Sequence, residues 1–442
     1  MSVSAYIEAH NHKLCDCCGK VHATPVDEVI VGNGVIARIP EVMSRYGAKK
    51  AFVIADRNTQ AAAGEAVCKI LEEGGVAYTS FVFPQEILEP DEQAVGSVAL
   101  HFDRSCDILI AVGSGVINDV TKILRSLVKL PFIIVGTAPS MDGYASDSSS
   151  MVRNGWKVSL YNGVANVVIG DLEILKKAPL DMVKSGIGDM LAKYIGICEW
   201  QIARIVKGEY YCPMIAELVR SSIQACVDNV DGLLKGEDEA ISAVFEGLVG
   251  VGVAMSFAGS SRPASGVEHY LSHVWDMRGL AFGTPTASHG TQCAIATVIT
   301  ARLYERLRGY TPDREKALAA VASFDVEDWY RQLCTFMGAA GEGMVTLDRT
   351  SEKKYDPELH KERLEQILSH WDEIQKVVEE VPSAAYLEGI LDRIEAPKTM
   401  AEIGIDPGIL PLTLRASKDI RDKYVLSRLL WDLGLEDWMD ME

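Results

Sequence analysis

The sequence predicts an α/β domain built on a parallel, Rossmann-like sheet, followed by an all-α domain. Between Asp27 and Ser140, near-continuous apolar runs alternate with amphipathic stretches, the pattern of strands buried on both faces and separated by helices. From about Leu175 onward the hydrophobic period is almost entirely helical. A length of 442 residues accommodates two such domains. The expected division is a Cys/His-rich lead-in over 1–25, an α/β nucleotide-binding domain over 26–174 and a helical domain over 175–442.

Taken in order, EVIVGNG from Glu28 reads as a short strand ending in glycine, and VIARIPEVMSRYG as the helix after it. KKAFVIADRNT is a strongly apolar strand ending on Asp56, AAAGEAVCKILEEGG a helix stopped by glycine, and VAYTSFVFP the next strand. EQAVGSVALHFDRS, CDILIAVGSG, VINDVTKILRSLVK and LPFIIVGTAPS continue the alternation of helix and strand. GWKVSLYNGVANVVIGD then predicts a hairpin. Beyond it, SGIGDMLAKYIGICEWQIAR, CPMIAELVRSSIQACVDNV, ISAVFEGLVGVGVAMSFAG and TVITARLYERLRG are helices. The apolar run from Gly247 to Gly259 is too short and too glycine-rich for a membrane span of ~20 residues and reads as a buried helix. No Gly/Ser-rich or Pro-rich linker separates the halves, and no internal repeat is visible.

Composition narrows the class. Hydrophobic residues make up 48% and charged residues 24%, the balance of a globular protein. A net charge of −19 argues against a nucleic-acid partner, which calls for clustered Lys and Arg. The N-terminus lacks the apolar core of a signal peptide, and the ten cysteines follow no disulfide-framework spacing, so a cytoplasmic protein with reduced thiols is expected. CDCCGKVH (Cys15 to His22), with His10 and His12 upstream, reads either as a zinc site, though without the spacing of a standard finger, or as a surface lead-in with weak or adventitious metal affinity.

The chemistry concentrates between Ala258 and Ile295, which holds three of the nine histidines, His269, His273 and His289, beside Arg262. His269 and His273 are four apart and share a helix face; His289 follows a Gly/Pro-rich turn. Asp189 lies near an expected helix start after two glycines, where it reads either as an N-cap or as the carboxylate completing a metal triad. Lys193, one turn later, points the same way. AVGSGVINDVTK places Gly113 and Gly115 between a strand and a helix, where backbone N–H groups meet a pyrophosphate. The spacing is not G-x-G-x-x-G, because Asn118 stands at the third position. TAPSMDGYASDSSS (Thr137 to Ser150) is a hydroxyl-rich loop at the next strand's C-terminal edge. Asp142 within it reads either as a ligand for a substrate hydroxyl or nicotinamide ribose, or as part of a polar cap.

GSGVINDVTK, TAPSMDGYAS, GDMLAKY, SSRPASGVEHYLSH and SHG, in that order, closely resemble the sn-glycerol-1-phosphate dehydrogenases. This family belongs to the superfamily of glycerol dehydrogenase, iron-dependent alcohol dehydrogenases and 3-dehydroquinate synthase. The resemblance spans nearly the whole chain, including the closing IRDKYVLSRLLWDLG, and implies a dehydroquinate synthase-like fold. It implies Asp189, His269 and His289 as ligands of one divalent ion (zinc, nickel or iron), with His273 lining the substrate pocket. It implies NAD(H) or NADP(H) held by Gly113, Ser114, Gly115, Asp119, Lys122, Thr137 and Ser140, with Asp142 and Ser146 at the substrate or nicotinamide end. Arg262, seven residues before His269, and Lys193 would grip a phosphate. Asp56 would accept the adenine ribose hydroxyls, whereas Arg57 would accept a 2′-phosphate.

The implied reaction is the reversible reduction of dihydroxyacetone phosphate to sn-glycerol 1-phosphate, a phospholipid-biosynthesis step, with His273 and Asp142 as candidate catalytic groups and a homo-oligomeric assembly. The alternative is a glycerol or polyol dehydrogenase with the same metal and cofactor and a non-phosphorylated substrate. A dehydroquinate synthase-type cyclase fits less well, since YASDSSS replaces its lysine-containing loop, and a non-catalytic sensor need not keep three ligand positions. Cys293 occupies a position usually small and apolar and reads as a helix-packing residue. The chain is longer than typical members of the family it resembles, and the charged segment from about Met337 to Pro397 is where the extra length is expected; it suggests no function.

Overall fold

In the computed structural model, which describes residues 2–153 and 156–441, six strands form one wholly parallel sheet. They are β1 (Glu28–Gly32), β2 (Lys50–Asp56), β3 (Ala77–Phe83), β4 (Ile108–Gly113), β5 (Phe132–Gly136) and β6 (Val167–Asp171). Their spatial order is β1-β6-β5-β4-β2-β3. Every residue of β4, β5 and β6 is buried, which explains why these runs are continuously apolar rather than alternating. From β2 the chain adds β3 on one side and then β4 on the other. The order therefore reverses between the carboxyl ends of β2 and β4, at Asp56 and Gly113, where open α/β sheets bind ligands.

The expected hairpin is corrected. Trp156–Tyr161 pairs antiparallel with the preceding Ser148–Arg153, while Val167–Asp171 enters the main sheet as β6. The first residue of the expected hairpin, Gly155, lies outside the described residues. Asn162-Gly163 between two apolar runs is a strong hairpin signal. It is overridden because VVIG can be buried on both faces.

The chain divides into two compact units, Met1–Met190 with Pro213–Ser261, and Leu191–Cys212 with Arg262–Glu442. The first holds the sheet, α1 (Gly115–Val128), the start of α2 (Leu180–Lys207), α3 (Pro213–Asp228) and α4 (Asp238–Ala258). Helix α4 lies against the sheet through Phe245: a Cβ on Gly136 or Gly170 would stand 2.6 or 2.4 Å from that ring. It is the one helix among the described residues long and apolar enough to cross a membrane. Of its apolar window, 78% is buried within the protein. The N-terminal residues also fold onto this unit. Helix Val3–His10 buries Val3 and Ile7, and Ser4 Oγ donates to the Val29 carbonyl of β1 at 2.8 Å.

The second unit contains the rest of α2, α5 (Val267–Phe282), α6 (His289–Leu307) and further helices, with no strand among its described residues. Tyr270, Trp275 and Tyr304 are among its largest fully buried side chains. The closing segment is core: buried Asp432 accepts two bonds from Arg363 at 2.9 Å and one from Tyr424 at 2.8 Å. The charged stretch after Met337 forms helices Ala339–Leu347, Pro357–Ser369, Trp371–Glu379 and Ala384–Arg393. Their inner faces bury Leu364, Ile374, Val378 and Leu387.

Candidate metal centre and nucleotide edge

Asp189 is not at a helix start. Helix α2 begins at Leu180 and runs unbroken to Lys207, so Asp189 sits well inside it, where no orphan N–H group needs a cap. Gly186, three residues earlier, serves close approach: a Cβ there would lie 1.9 Å from the Pro139 carbonyl oxygen. Ser185 Oγ adds a 3.2 Å bond to the Ser140 carbonyl. The Asp189 carboxylate is fully buried, and its Oδ2 accepts the Asp142 backbone N–H at 2.9 Å.

His269 lies on the first turn of α5 and is 5% exposed. Its Nδ1 meets Glu268 Oε1 at 2.7 Å, so Nδ1 carries the proton and Nε2 presents its lone pair. His289 is the first residue of α6, with Nδ1 3.2 Å from Ser272 Oγ. Ligand atoms of Asp189, His269, His289 and Cys293 all lie within 4.8 Å of one another. One carboxylate and two imidazoles fit a divalent transition metal, so the predicted triad meets the chemistry such an ion requires. His273 stacks on His289 at 6.0 Å and 16° and falls outside that donor group.

Sequence reasoning read Cys293 as a helix-packing residue and did not name Glu268 or Glu199. Cys293 is fully buried beside His289, with Sγ 3.7 Å from Nε2; its signal was the i, i+4 spacing that puts both on one face of α6. Burial opposes its thiolate, but the imidazoles of His269 and His289 outweigh that and bring the thiol down to about 7. Glu268 was legible as the neighbour of His269. Glu199, further along α2, had no signal. It accepts the backbone N–H groups of Val267 and Leu426, each at 2.9 Å, which ties the α5 N-terminus to the closing segment. Burial, and then the charge of Glu268, raise its carboxyl to about 8.

At the sheet edge the residues expected around the nucleotide gather on one loop system. Ser114 and Ser140 share a 2.6 Å hydroxyl bond, and Thr137 N–H donates to the Gly113 carbonyl at 3.2 Å. Gly115 opens α1. Buried Lys122 donates to Asp119 Oδ1 (3.2 Å) and to the carbonyls of Gly143 (2.7 Å) and Ser148 (2.9 Å). Those three bonds match an ammonium's three donors, so Lys122 clamps the loop that carries Asp142 and Ser146. Ser146 is buried and turned toward Ser148 of the same loop. Asp56 caps the short helix Arg57–Thr59 in a capping box with Thr59.

Lys193 is fully buried on α2. Arg262 is 6% exposed; its Nε and Nη2 donate to Glu209 at 2.7 and 2.6 Å, and its Nη1 to the Tyr424 carbonyl at 3.0 Å. A phosphate at Arg262 would therefore share the guanidinium with a carboxylate. A cavity of about 840 Å³ elsewhere in the helical unit has Lys354, Arg363, Lys423 and Arg428 in its wall, with none of the four metal-centre donors.

The chain is similar to several known proteins. A family model described as iron-containing alcohol dehydrogenase matches residues 30–179. A glycerol-1-phosphate dehydrogenase (NAD(P)+) of Halalkalibacterium halodurans is 32% identical over 294 residues, 66% of this chain and 74% of the relative. The protein of that name from Geobacillus stearothermophilus is 28% identical over 412 residues, 92% of this chain and 93% of the relative. Among solved structures, a 1,3-propanediol oxidoreductase superposes with a TM-score of 0.62 at 15% identity, covering 93% of this chain and 98% of the other. An iron-containing alcohol dehydrogenase from Corynebacterium glutamicum gives 0.60 at 16% identity, covering 94% and 95%. At such identities the structural likeness establishes the fold.

Proposed function

The chain belongs to the glycerol-1-phosphate dehydrogenase family, and from that premise we propose that it reversibly reduces dihydroxyacetone phosphate to sn-glycerol 1-phosphate with NADH or NADPH. The observation that carries the reading is the convergence of Asp189, His269 and His289, with His269 oriented by Glu268. A divalent ion held by these three residues would supply Lewis-acid stabilisation of charge developing on the substrate oxygen, and a bound nicotinamide would supply the hydride. The carbonyl carbon takes the hydride and its oxygen takes a proton.

The chain's own residues do the rest. Burial of Asp189 and His269 keeps the donor set in a low dielectric, where its charges act strongly. Glu268 holds the His269 proton on Nδ1 and so keeps Nε2 a donor. His273, stacked on His289, is the proposed relay of the proton to the substrate oxygen. Asp142 accepts a substrate hydroxyl, and Arg262 with Lys193 holds the phosphate. The α1 N-terminus at Gly113–Gly115, with Ser114, Thr137 and Ser140, receives the pyrophosphate. Lys122 and Asp119 act through the loop they fix, and Asp56 meets the adenine ribose.

The test is turnover by the full chain loaded with zinc, nickel or iron, on dihydroxyacetone phosphate and on free dihydroxyacetone, with each nicotinamide and the product's chirality determined. A preference of ~100-fold or more for the phosphorylated triose is expected. Arg262→Ala should shrink that preference. Equal activity on the free triose would favour the polyol dehydrogenase, and no turnover with any triose phosphate overturns the reading.

A further inference from the structure

We propose that Cys15, Cys18, His22 and Cys212 bind a second metal ion, a structural zinc, separate from the Asp189–His269–His289 centre. Ligand atoms of these four residues lie within 4.8 Å of one another. A tetrahedron with metal–sulfur bonds of ~2.3 Å has edges of roughly 3.8 Å, so the cluster needs only slight contraction around an ion.

The local fold is built to present these donors. Lys13–Leu14 and Val21–His22 pair antiparallel, with Lys13 opposite His22. The chain between them closes tightly: Cys15 N–H donates to the Lys20 carbonyl and Gly19 N–H to the Cys15 carbonyl, each at 2.8 Å. Gly19 has φ +69°, a conformation that glycine adopts without a Cβ penalty, and the C-x-x-C-G turn brings Cys15 and Cys18 together. His22 is 2% exposed, and its Nδ1 lies 3.0 Å from the Phe257 carbonyl. A carbonyl only accepts, so the proton sits on Nδ1. The lone pair of Nε2 then faces Cys18 Sγ at 3.3 Å. Fixing the remote ring nitrogen on a carbonyl is how proteins orient ligating histidines. Cys212, fully buried directly before α3, supplies the fourth donor from almost two hundred residues away.

Ordinary cysteine packing looks different in this protein. Cys106 and Cys226 are buried and donate to the backbone carbonyls of Ala51 and Ala243, both at 3.3 Å, and Cys106 also meets the Thr79 hydroxyl at 3.2 Å. Cys17, in the middle of the knuckle, is exposed and stands outside the donor group. Three thiolates and one imidazole form a soft set that selects zinc over the harder ions. Four protein ligands leave no open position, which marks a structural rather than a catalytic ion. Binding releases the three thiol protons and fastens the first twenty-six residues to the start of α3 and the end of α4.

The experiment is zinc analysis of full-length protein purified under reductant, in a His269→Ala background that disables the other centre. About one zinc per chain is expected to survive mild chelation, with an X-ray absorption signature of three sulfurs and one nitrogen. Cys18→Ser and Cys212→Ser should each lose that zinc. Cys17→Ser should keep it, and so should His22→Cys, which exchanges the imidazole for a fourth thiolate. Reduced His269→Ala protein without zinc, or Cys18→Ser and Cys212→Ser variants with their full complement, would overturn the proposal. The absorption spectrum of the unsubstituted chain decides the matter should a variant fail to fold: zinc with only nitrogen and oxygen neighbours also overturns it.

Discussion

Glu268 stands one position before His269 and decides which imidazole nitrogen carries the proton. Glu268→Gln is expected to weaken metal binding ~10–100-fold, measured by competition with a chromophoric chelator; unchanged affinity would remove Glu268 from this role. Glu199 has a pH signature. Unfolded, it deprotonates near its ordinary value of about 4.3; folded, it holds its proton to about 8. Between those values the native state binds the extra proton, so stability falls as pH rises through the window and levels off above it. Glu199→Gln should flatten that slope, read as the melting temperature across the same range; an unaltered slope would assign it to other groups. Lys122→Met takes the ammonium from beside buried Asp119, which keeps only the Ser150 N–H, and one donor from each of the Gly143 and Ser148 carbonyls, at an expected cost of ~3–5 kcal/mol by urea unfolding. Loss of less than about 1 kcal/mol would mean that the loop finds other partners.

Two helix glycines, in α2 and in Ala384–Arg393, make opposite predictions at the scale of the element. Gly186→Ala would drive a methyl into the Pro139 carbonyl, so the clash should exceed the helix-propensity gain and destabilise by ~1–3 kcal/mol. Gly389 has nothing within 4 Å of its missing Cβ, so Gly389→Ala should stabilise by ~0.5–1 kcal/mol. Equal signs in thermal melts would defeat the argument from space. The same elements show what the sequence could reveal. β2, β4 and β5 were legible because strands buried on both faces must be apolar throughout. α2 was legible as a helix, yet its start was placed too late: Gly186, which serves close approach to Pro139, mimicked a boundary. β6 was assigned to a hairpin because its local turn signal is strong, and only its neighbours β1 and β5 make it parallel. His269 and His289 stand out as residue types in a pattern. Cys212 and the Glu209 partner of Arg262 are fixed by folding contacts that no spacing encodes.

For the molecule as a whole, removing the metal from the histidine centre should abolish turnover while leaving the helical circular dichroism intact, because that centre is not what holds the sheet or the buried Asp432 network together. Turnover restored by zinc, nickel or iron would identify the working ion; activity surviving chelation would exclude a metal role. The Asp142 N–H belongs to the loop proposed to meet the nicotinamide end, and its acceptor is the Asp189 carboxylate, the proposed metal ligand. Any shift of that loop as nucleotide arrives therefore changes the basicity and aim of Asp189. A thermodynamic cycle makes the effect mutual: the factor by which nucleotide alters metal affinity must equal the factor by which metal alters nucleotide affinity. Titrations of NADH into the metal-free and metal-loaded chain, and of metal into the chain with and without NADH, should return one and the same ratio, different from unity.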